Sequence, residues 1–305
     1  RAHPDWCLHV EGRRRTLART QLVLDMSRAD VREYLYQTLS NLLRTVPISY
    51  IKWDMNRSLT EIGSAAAPAE RQGEIAHRYM LGVYELLERL TSEFPQVLFE
   101  NCSSGGGRFD SGMLYYMPQT WTSDNTDAVE RLKIQYGTSL VYPVSAIGAH
   151  VSAVPNHQVG RCTPLTMRGD VAMSGNFGYE FDLTKCTDEE KAIVQQQVKT
   201  YKEIRSLVQQ GDLYRLISPF ESLETAWMFV SEKKTEAIVF FFKVLAEPNV
   251  SHKVLKLKGL DEQLDYVAEG FGTFGGDRLM NVGLMIPLER GDYTSTMIRL
   301  RSSKQ

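Results

Sequence analysis

The spacing of the apolar residues changes at Gly211, and that change constrains the fold more than any other feature of the sequence. Ahead of it, short apolar runs alternate with amphipathic segments, the pattern of βα units on a parallel sheet. Beyond it, short strand-like runs follow one another with polar turns between them, the pattern of an antiparallel sheet. A chain of 305 residues is long enough for about two domains. The expected division is residues 1–211 and residues 212–305.

Within the first part, residues 21–24 read as a strand. Ser27 and Asp30 then resemble a capping pair, and Val31, Leu35, Leu39, Leu42 and Val46 recur at helical spacing. Pro47 ends that helix, and residues 48–53 form the next strand. Ile75, Tyr79, Val83, Leu86, Leu87 and Leu90 mark a second helix closed by Pro95. Residues 97–101 are a strand running into Ser-Ser-Gly-Gly-Gly. A short helix (109–117), a strand (119–123), a helix opened by Asp127 and Glu130, and a strand (144–148) follow. The last helix has Thr187 and Glu190 at capping-box spacing, a stripe of Val194, Val198, Tyr201, Ile204 and Val208, and Gly211 as its C′ residue. After Gly211, strands are expected at 226–230, 236–244, 251–257, 277–284 and 294–300, with no helix among them. The first part therefore offers about six strands, whereas a closed (β/α)₈ barrel needs eight and about 250 residues. Either the sheet is open, or the chain begins inside a barrel.

Charge and composition exclude several classes. Lys plus Arg number 35 against 37 Asp plus Glu, a net charge of −2, which leaves no electrostatic footprint for nucleic acid or an acidic membrane surface. The apolar run at 237–242 stops at Lys243, far short of the roughly 20 residues a membrane span needs. Four Cys in the chain is well below a disulfide scaffold and points to a reducing, cytoplasmic compartment. The chain opens on Arg1 rather than Met, with no apolar leader segment after it, so the natural start is expected upstream.

In βα folds the reacting groups sit at the C-terminal ends of strands. Asp54, Glu100, Asp124 and Asp182 occupy such places. Any one alone reads first as a helix cap, a loop hydrogen-bonder or a salt-bridge partner, and only second as a reacting group. Asp54 and Asp124 stand out because each lies just beyond a Trp on a short strand, among Lys52, Asn56, Ser123 and Asn125. A carboxylate beside a lysine stays ionised and suits a nucleophile, while a carboxyl in a drier place can keep its proton and act as an acid. Two carboxylates with aromatic platforms are the parts glycoside hydrolysis needs. Other chemistries fit less well. No dinucleotide fingerprint or P-loop is present, and Cys102-Ser-Ser-Gly-Gly-Gly-Arg108 lacks the Lys-Ser/Thr ending of a phosphate cradle. The six His contain no clustered pair, so no metal is expected. Cys102 could be a thiol nucleophile, a packed small residue or a sugar contact.

Taken together, His3-Pro-Asp-Trp6, Arg19-Thr-Gln-Leu-Val-Leu-Asp25, Lys52-Trp-Asp-Met-Asn-Arg57, Asn101-Cys-Ser-Ser-Gly-Gly-Gly-Arg108, Trp121-Thr-Ser-Asp-Asn-Thr-Asp127, Pro155-Asn-His-Gln158 and Phe177-Gly-Tyr-Glu-Phe-Asp-Leu183 resemble, in order, the C-terminal part of the bacterial-type α-galactosidases (melibiases) of glycoside hydrolase family 36. The match runs from the first residues to the end of the βα region and is looser after Gly211. The resemblance implies an α/β fold, a TIM-type (β/α)₈ barrel whose first strands precede Arg1, followed by a C-terminal antiparallel β-sandwich.

It also implies roles. Asp54 falls on the nucleophile and Asp124 on the general acid/base of a retaining double displacement. Lys52, Asn56, Cys102, Gly105, Trp121 and Arg19 fall on positions that hold the terminal galactose, and Asp127 is better read as a helix cap. Trp53 and Trp121 could face the sugar or belong to the core. The implied substrates are α-galactosides of the melibiose and raffinose type, with no cofactor, and the full-length form is expected to be a homo-oligomer. A family member favouring transfer over hydrolysis, and a chain that is inactive on its own, are the competing readings.

Overall fold

In a computed structural model of the chain, the structure describes residues 2–249 and 251–303; Arg1, Val250, Lys304 and Gln305 lie outside it. The chain divides into two compact units, residues 1–124 and 125–305.

The first unit alternates helix and strand: α1 (Ala29–Thr45), β1 (Tyr50–Asp54), α2 (Ile75–Glu93), β2 (Leu98–Cys102), α3 (Ser111–Tyr116) and β3 (Gln119–Trp121). The three strands lie side by side in that order, all parallel. Register places Lys52 opposite Glu100, Trp53 opposite Asn101 and Asp54 opposite Cys102. Side chains alternate along a strand, so Lys52, Asp54, Glu100 and Cys102 share one face. The other face and the helices bury Val31, Leu43, Tyr79, Leu86, Leu90, Phe99 and Met113 in a continuous core, with Trp53 packed against it.

Two expectations for this unit fail. Residues 21–24 form no strand: only isolated bridges join Cys7 to Leu24 and Ala18 to Gln21. Arg19 and Thr20 both have positive φ, 50° and 61°, and two left-handed residues in succession make a tight turn that strand pairing cannot follow. The capping pair of Ser27 and Asp30 does not form either. Arg28 is the N-cap of α1 and makes no side-chain cap. Ser27 gives its N–H and O–H to Asp25, and Asp30 is held by Arg28. The buried face of α1 passes through Val31 and Leu43, leaving Leu42 exposed.

The second unit opens with α4 (Ala128–Thr138), β4 (Ile147–Ser152), α5 (Leu165–Met173), β5 (Asn176–Glu180) and α6 (Asp188–Gln210). β4 and β5 are parallel, pairing Gly148 through Ser152 with Asn176 through Glu180. Asp127 caps α4 by accepting the Glu130 N–H at 3.0 Å, as expected from its spacing. Thr187 and Glu190 form the anticipated capping box on α6. The strand expected at 144–148 begins later, because Pro143 leads into a 3₁₀ turn over Val144–Ala146. Helix α5 carries no amphipathic stripe to betray it: Leu165, Met167, Arg168, Gly169, Val171, Ala172 and Met173 are all buried, and with Arg168 buried among them no polar face separates from an apolar one. Gly211 closes α6 with φ of −75°, not the left-handed C′ conformation. A Cβ there would stand 2.5 Å from the Leu207 carbonyl oxygen, so close approach rather than handedness calls for glycine.

After Gly211 the strands are β6 (Asp212–Ile217), β7 (Glu224–Val230), β8 (Glu236–Lys243), β9 (His252–Leu255), β10 (Asp265–Ala268), β11 (Gly272–Gly275), β12 (Leu284–Pro287) and β13 (Thr294–Ser302). A six-stranded sheet runs β11-β10-β13-β8-β7-β6, and β12 pairs with β9 in a second sheet; every pairing is antiparallel. Met228, Val239, Phe241, Leu255, Leu284 and Ile286 join the two sheets in one core. The opposite face of the larger sheet, with Trp227, Phe229 and Phe240, packs against Ile204 and Val208 of α6. The strand expected at 277–284 is instead the short helix α7 (Gly276–Asn281). Strand β6 and the β10–β11 hairpin are elements the apolar pattern does not announce. Among the described residues, no helix is long and apolar enough to cross a membrane.

Candidate active site

The site grows from the C-terminal ends of β1, β2 and β3. Asp54 is the last residue of β1, and the ladder continues one step beyond it, the Met55 N–H donating to the Cys102 carbonyl at 3.0 Å. Asn56 turns back, its amide donating to Asp54 Oδ2 at 2.5 Å while its own oxygen accepts the Ser104 N–H at 3.3 Å. One carboxylate oxygen is thereby oriented by an amide that is itself held by the next loop.

That loop is the Ser103–Arg108 turn. The Ser103 hydroxyl donates to the Met55 carbonyl, and the Gly107 N–H to the Ser103 carbonyl. Ser104 and Gly105 take positive φ, 47° and 82°. A Cβ on Gly105 would meet the Ser123 Cα at 2.6 Å and the Asp124 nitrogen at 3.0 Å. Glycine is needed here because main chain lies directly against main chain. Arg108 closes the turn from below. Its guanidinium donates to Asn101 Oδ1, to the Trp53 carbonyl and to the Cys102 carbonyl at 2.7, 2.9 and 3.2 Å. It laces together the strand ends that carry Asp54 and Cys102, and burial pulls its pKa down.

Asp124 follows β3. Arg19 Nη1 stands 3.9 Å from Asp124 Oδ2, and the same nitrogen donates to the Ser104 hydroxyl at 3.3 Å. Cys102 is buried beside Asp54. Burial pushes its thiol up to about 11, and the Asp54 carboxylate adds to the rise. At neutral pH it is a protonated thiol rather than a thiolate, which removes it as a nucleophile and leaves it as a donor beside the carboxylate. Lys52 reaches to Glu100, Nζ to Oε1 at 3.3 Å, with its ammonium 4.6 Å from the centre of the Trp121 ring. Trp121 itself is only 3% exposed. Trp53, left open between sugar platform and core, packs beside Phe99 in the core.

Lys52, Asp54, Asn56, Cys102, Gly105, Trp121 and Asp124 therefore fall on three neighbouring strand ends and the turns that leave them, and Arg19 reaches Asp124 and Ser104 from the turn ahead of α1. Asp182, the remaining acidic candidate, caps a 3₁₀ turn by accepting the Thr184 N–H. Two residues of consequence were not singled out for a role: Arg108, and Glu100 as the partner of Lys52. Strand register alone reveals the latter, and a single sequence does not state register. The assembled parts are two solvent-reachable carboxylates, one oriented by an amide and one near a guanidinium, with an ammonium and a thiol as additional donors. That set suits acid–base and nucleophilic chemistry at a polar, hydroxyl-rich ligand.

The sequence places the chain in a family. The Melibiase family pattern matches residues 1–211, and the glycosyl hydrolase family 36 C-terminal domain matches residues 224–300. The chain belongs to glycoside hydrolase family 36. It is 63% identical over its whole length to alpha-galactosidase AgaA of Geobacillus stearothermophilus, and 52% identical over 98% of its length to alpha-galactosidase 1 of Pediococcus pentosaceus. It spans only about two-fifths of these relatives, 42% and 41% of their lengths. The crystal structure of AgaA superposes on 99% of the chain with a TM-score of 0.96, and further structures of AgaA variants hold raffinose or stachyose. The fold is accordingly the later strands of a TIM-type (β/α)₈ barrel followed by the family's C-terminal β-sandwich.

Proposed function

We propose that the protein containing this chain is a retaining α-galactosidase, with Asp54 as nucleophile and Asp124 as general acid/base, acting on terminal α-galactosyl groups of raffinose-type oligosaccharides. The supporting observation is a spacing. The AgaA variants that hold raffinose and stachyose carry substituted aspartates 70 positions apart, the same separation as Asp54 and Asp124 here. Replacing a carboxylate that does chemistry is a direct way to keep an intact substrate in a site.

In this reading Asp124 protonates the glycosidic oxygen while an Asp54 oxygen attacks the anomeric carbon, releasing the rest of the sugar as an alcohol. A water deprotonated by Asp124 then displaces Asp54 from the β-galactosyl ester, returning galactose with its α configuration. The Asn56 amide on Asp54 Oδ2 fixes which carboxylate oxygen is engaged. Lys52, Cys102 and Arg19 supply donors to the sugar hydroxyls, and Gly105 and Trp121 shape the floor. The proposal extends to a domain division at Gly211, where the Melibiase match ends. It extends also to a reducing, cytoplasmic setting, which four free thiols suit, and to assembly as a homo-oligomer.

The test is Asp54→Ala in the intact gene product, assayed on an aryl α-galactoside. Turnover is expected to fall by at least about 10³-fold, and azide to restore part of it with formation of β-galactosyl azide. Near-normal turnover in that variant would overturn the proposal. Product analysis with excess raffinose separates hydrolysis from transfer.

A further inference from the structure

Glu100 sits in the middle of β2 with none of its surface exposed. One oxygen of its carboxylate accepts the Tyr50 hydroxyl and the Gln119 amide at 2.6 Å, and the other forms an ion pair with the Lys52 ammonium at 3.3 Å. Tyr50 and Lys52 belong to β1 and Gln119 to β3, so donors from both flanking strands converge on one group of the central strand. A carboxylate buried to this degree is stable only when its charge is matched.

The arrangement is directional. Glu100 is pinned on both sides and cannot follow Lys52, whereas Lys52 is a long, flexible side chain about one-third exposed, whose ammonium would otherwise sample many positions. A buried ion pair adds little to stability compared with apolar packing of the same volume. What this one does achieve is to hold the ammonium over the Trp121 ring, on the strand face that also carries Asp54 two residues further on. Lys52 keeps further N–H donors for a ligand.

We infer that Glu100 is the positioning residue of the galactose subsite, fixing the Lys52 ammonium before the sugar arrives. The inference rests on the α-galactosidase reading of the site. Preorganising a donor removes an ordering cost from binding, so the loss on removing Glu100 is read in KM and passes through Lys52.

The experiment uses the intact gene product, with an aryl α-galactoside as substrate and free galactose as competing inhibitor. Glu100→Gln keeps shape and an acceptor for Tyr50 but loses the charge. KM and the galactose inhibition constant are expected to rise about tenfold, because a charged partner is roughly twice as strong as a neutral one, while kcat changes by less than about threefold. Lys52→Met is expected to show at least the same loss, and the double variant to be no worse than Lys52→Met alone. Unchanged KM in Glu100→Gln, or losses that multiply in the double variant, overturn the inference. Should Glu100→Gln not fold, Tyr50→Phe removes one of the two hydrogen-bond donors that hold the carboxylate while leaving both charges. A rise in KM of about two- to threefold is then expected, and no rise overturns the inference. Normal turnover in Asp54→Ala sinks the catalytic reading. An inactive Asp54→Ala together with a flat KM in Glu100→Gln sinks only the role of Glu100.

Discussion

Gly105 and Ser123 approach so closely that a single added methyl group would stand 2.6 Å from the Ser123 Cα. The contact also reaches the Asp124 nitrogen, so the turn after β2 sets where the second carboxylate begins. Gly105→Ala must push that backbone aside and also hold an alanine at a φ of 82°. We expect turnover to fall at least about tenfold while the melting temperature drops by only a few degrees. Steady-state kinetics beside a thermal melt checks this; equal activity in the two proteins would show that the contact relaxes freely.

Arg108 donates to Asn101 Oδ1, to the Met55 sulfur and to two main-chain carbonyls, those of Trp53 and Cys102 on the strand ends that carry the site. Arg108→Met takes the guanidinium away from Asn101 Oδ1 and the Trp53 carbonyl, and leaves the Cys102 carbonyl with only the Met55 N–H. A stability loss of about 2–4 kcal/mol is expected, measured as a shift in the urea midpoint. Arg108→Lys should recover little of it, since one ammonium cannot reproduce a planar fork.

The Cys102 thiol, pushed up to about 11 by burial and then by Asp54, is ionised in about one molecule in 10⁴ at pH 7. Iodoacetamide at that pH should label exposed Cys162 and spare Cys102, with Cys102 labelling climbing only as the pH approaches 11. Peptide mapping by mass spectrometry reads both sites at once. Prompt labelling of Cys102 at neutral pH would refute the protonated-thiol assignment.

Asp170 on α5 accepts a hydrogen bond from the Ser295 hydroxyl of β13 at 2.6 Å. Burial raises its pKa from 3.8 to about 6. A carboxyl whose folded pKa lies above its unfolded one gives stability that is complete below the unfolded value and is lost as the pH rises through the folded value. Asp170→Asn keeps an acceptor for Ser295 without the titration. Relative to the wild type, the variant should therefore gain on the order of 2 kcal/mol between about pH 4 and pH 7. Urea midpoints across that range test it, and a constant difference would rule it out.

What a single sequence discloses here is what is local. The Thr187–Glu190 capping box and the Asp127 cap of α4 depend on residues three apart, and both form as their spacing says. The strands ending in Asp54 and Cys102 are legible because apolar runs stop abruptly at polar residues. The pairing of Lys52 with Glu100 is not legible, because it depends on register between strands nearly fifty residues apart in sequence. Helix α5 is hidden because most of it is buried, the charged Arg168 included, so no stripe marks it, and α7 by its brevity. The false strand at 21–24 has suitable apolar residues, but Arg19 and Thr20 turn the chain just before it, and no side-chain pattern announces left-handed backbone at two non-glycine residues.

The seat of Lys52 on Trp121 has a consequence for selectivity. With that ring buried and facing the protein's own ammonium, its π face there is not open to the apolar side of a ligand. Stacking tolerates many sugars, because most hexoses present a similar C–H patch. A site that spends its indole on a cation must instead read its ligand through directional hydrogen bonds, and a donor set for one hydroxyl geometry is left unsatisfied by the epimer. On the α-galactosidase reading proposed for this site, the distinction between an axial and an equatorial hydroxyl falls here to an ammonium held in place by a carboxylate one strand away.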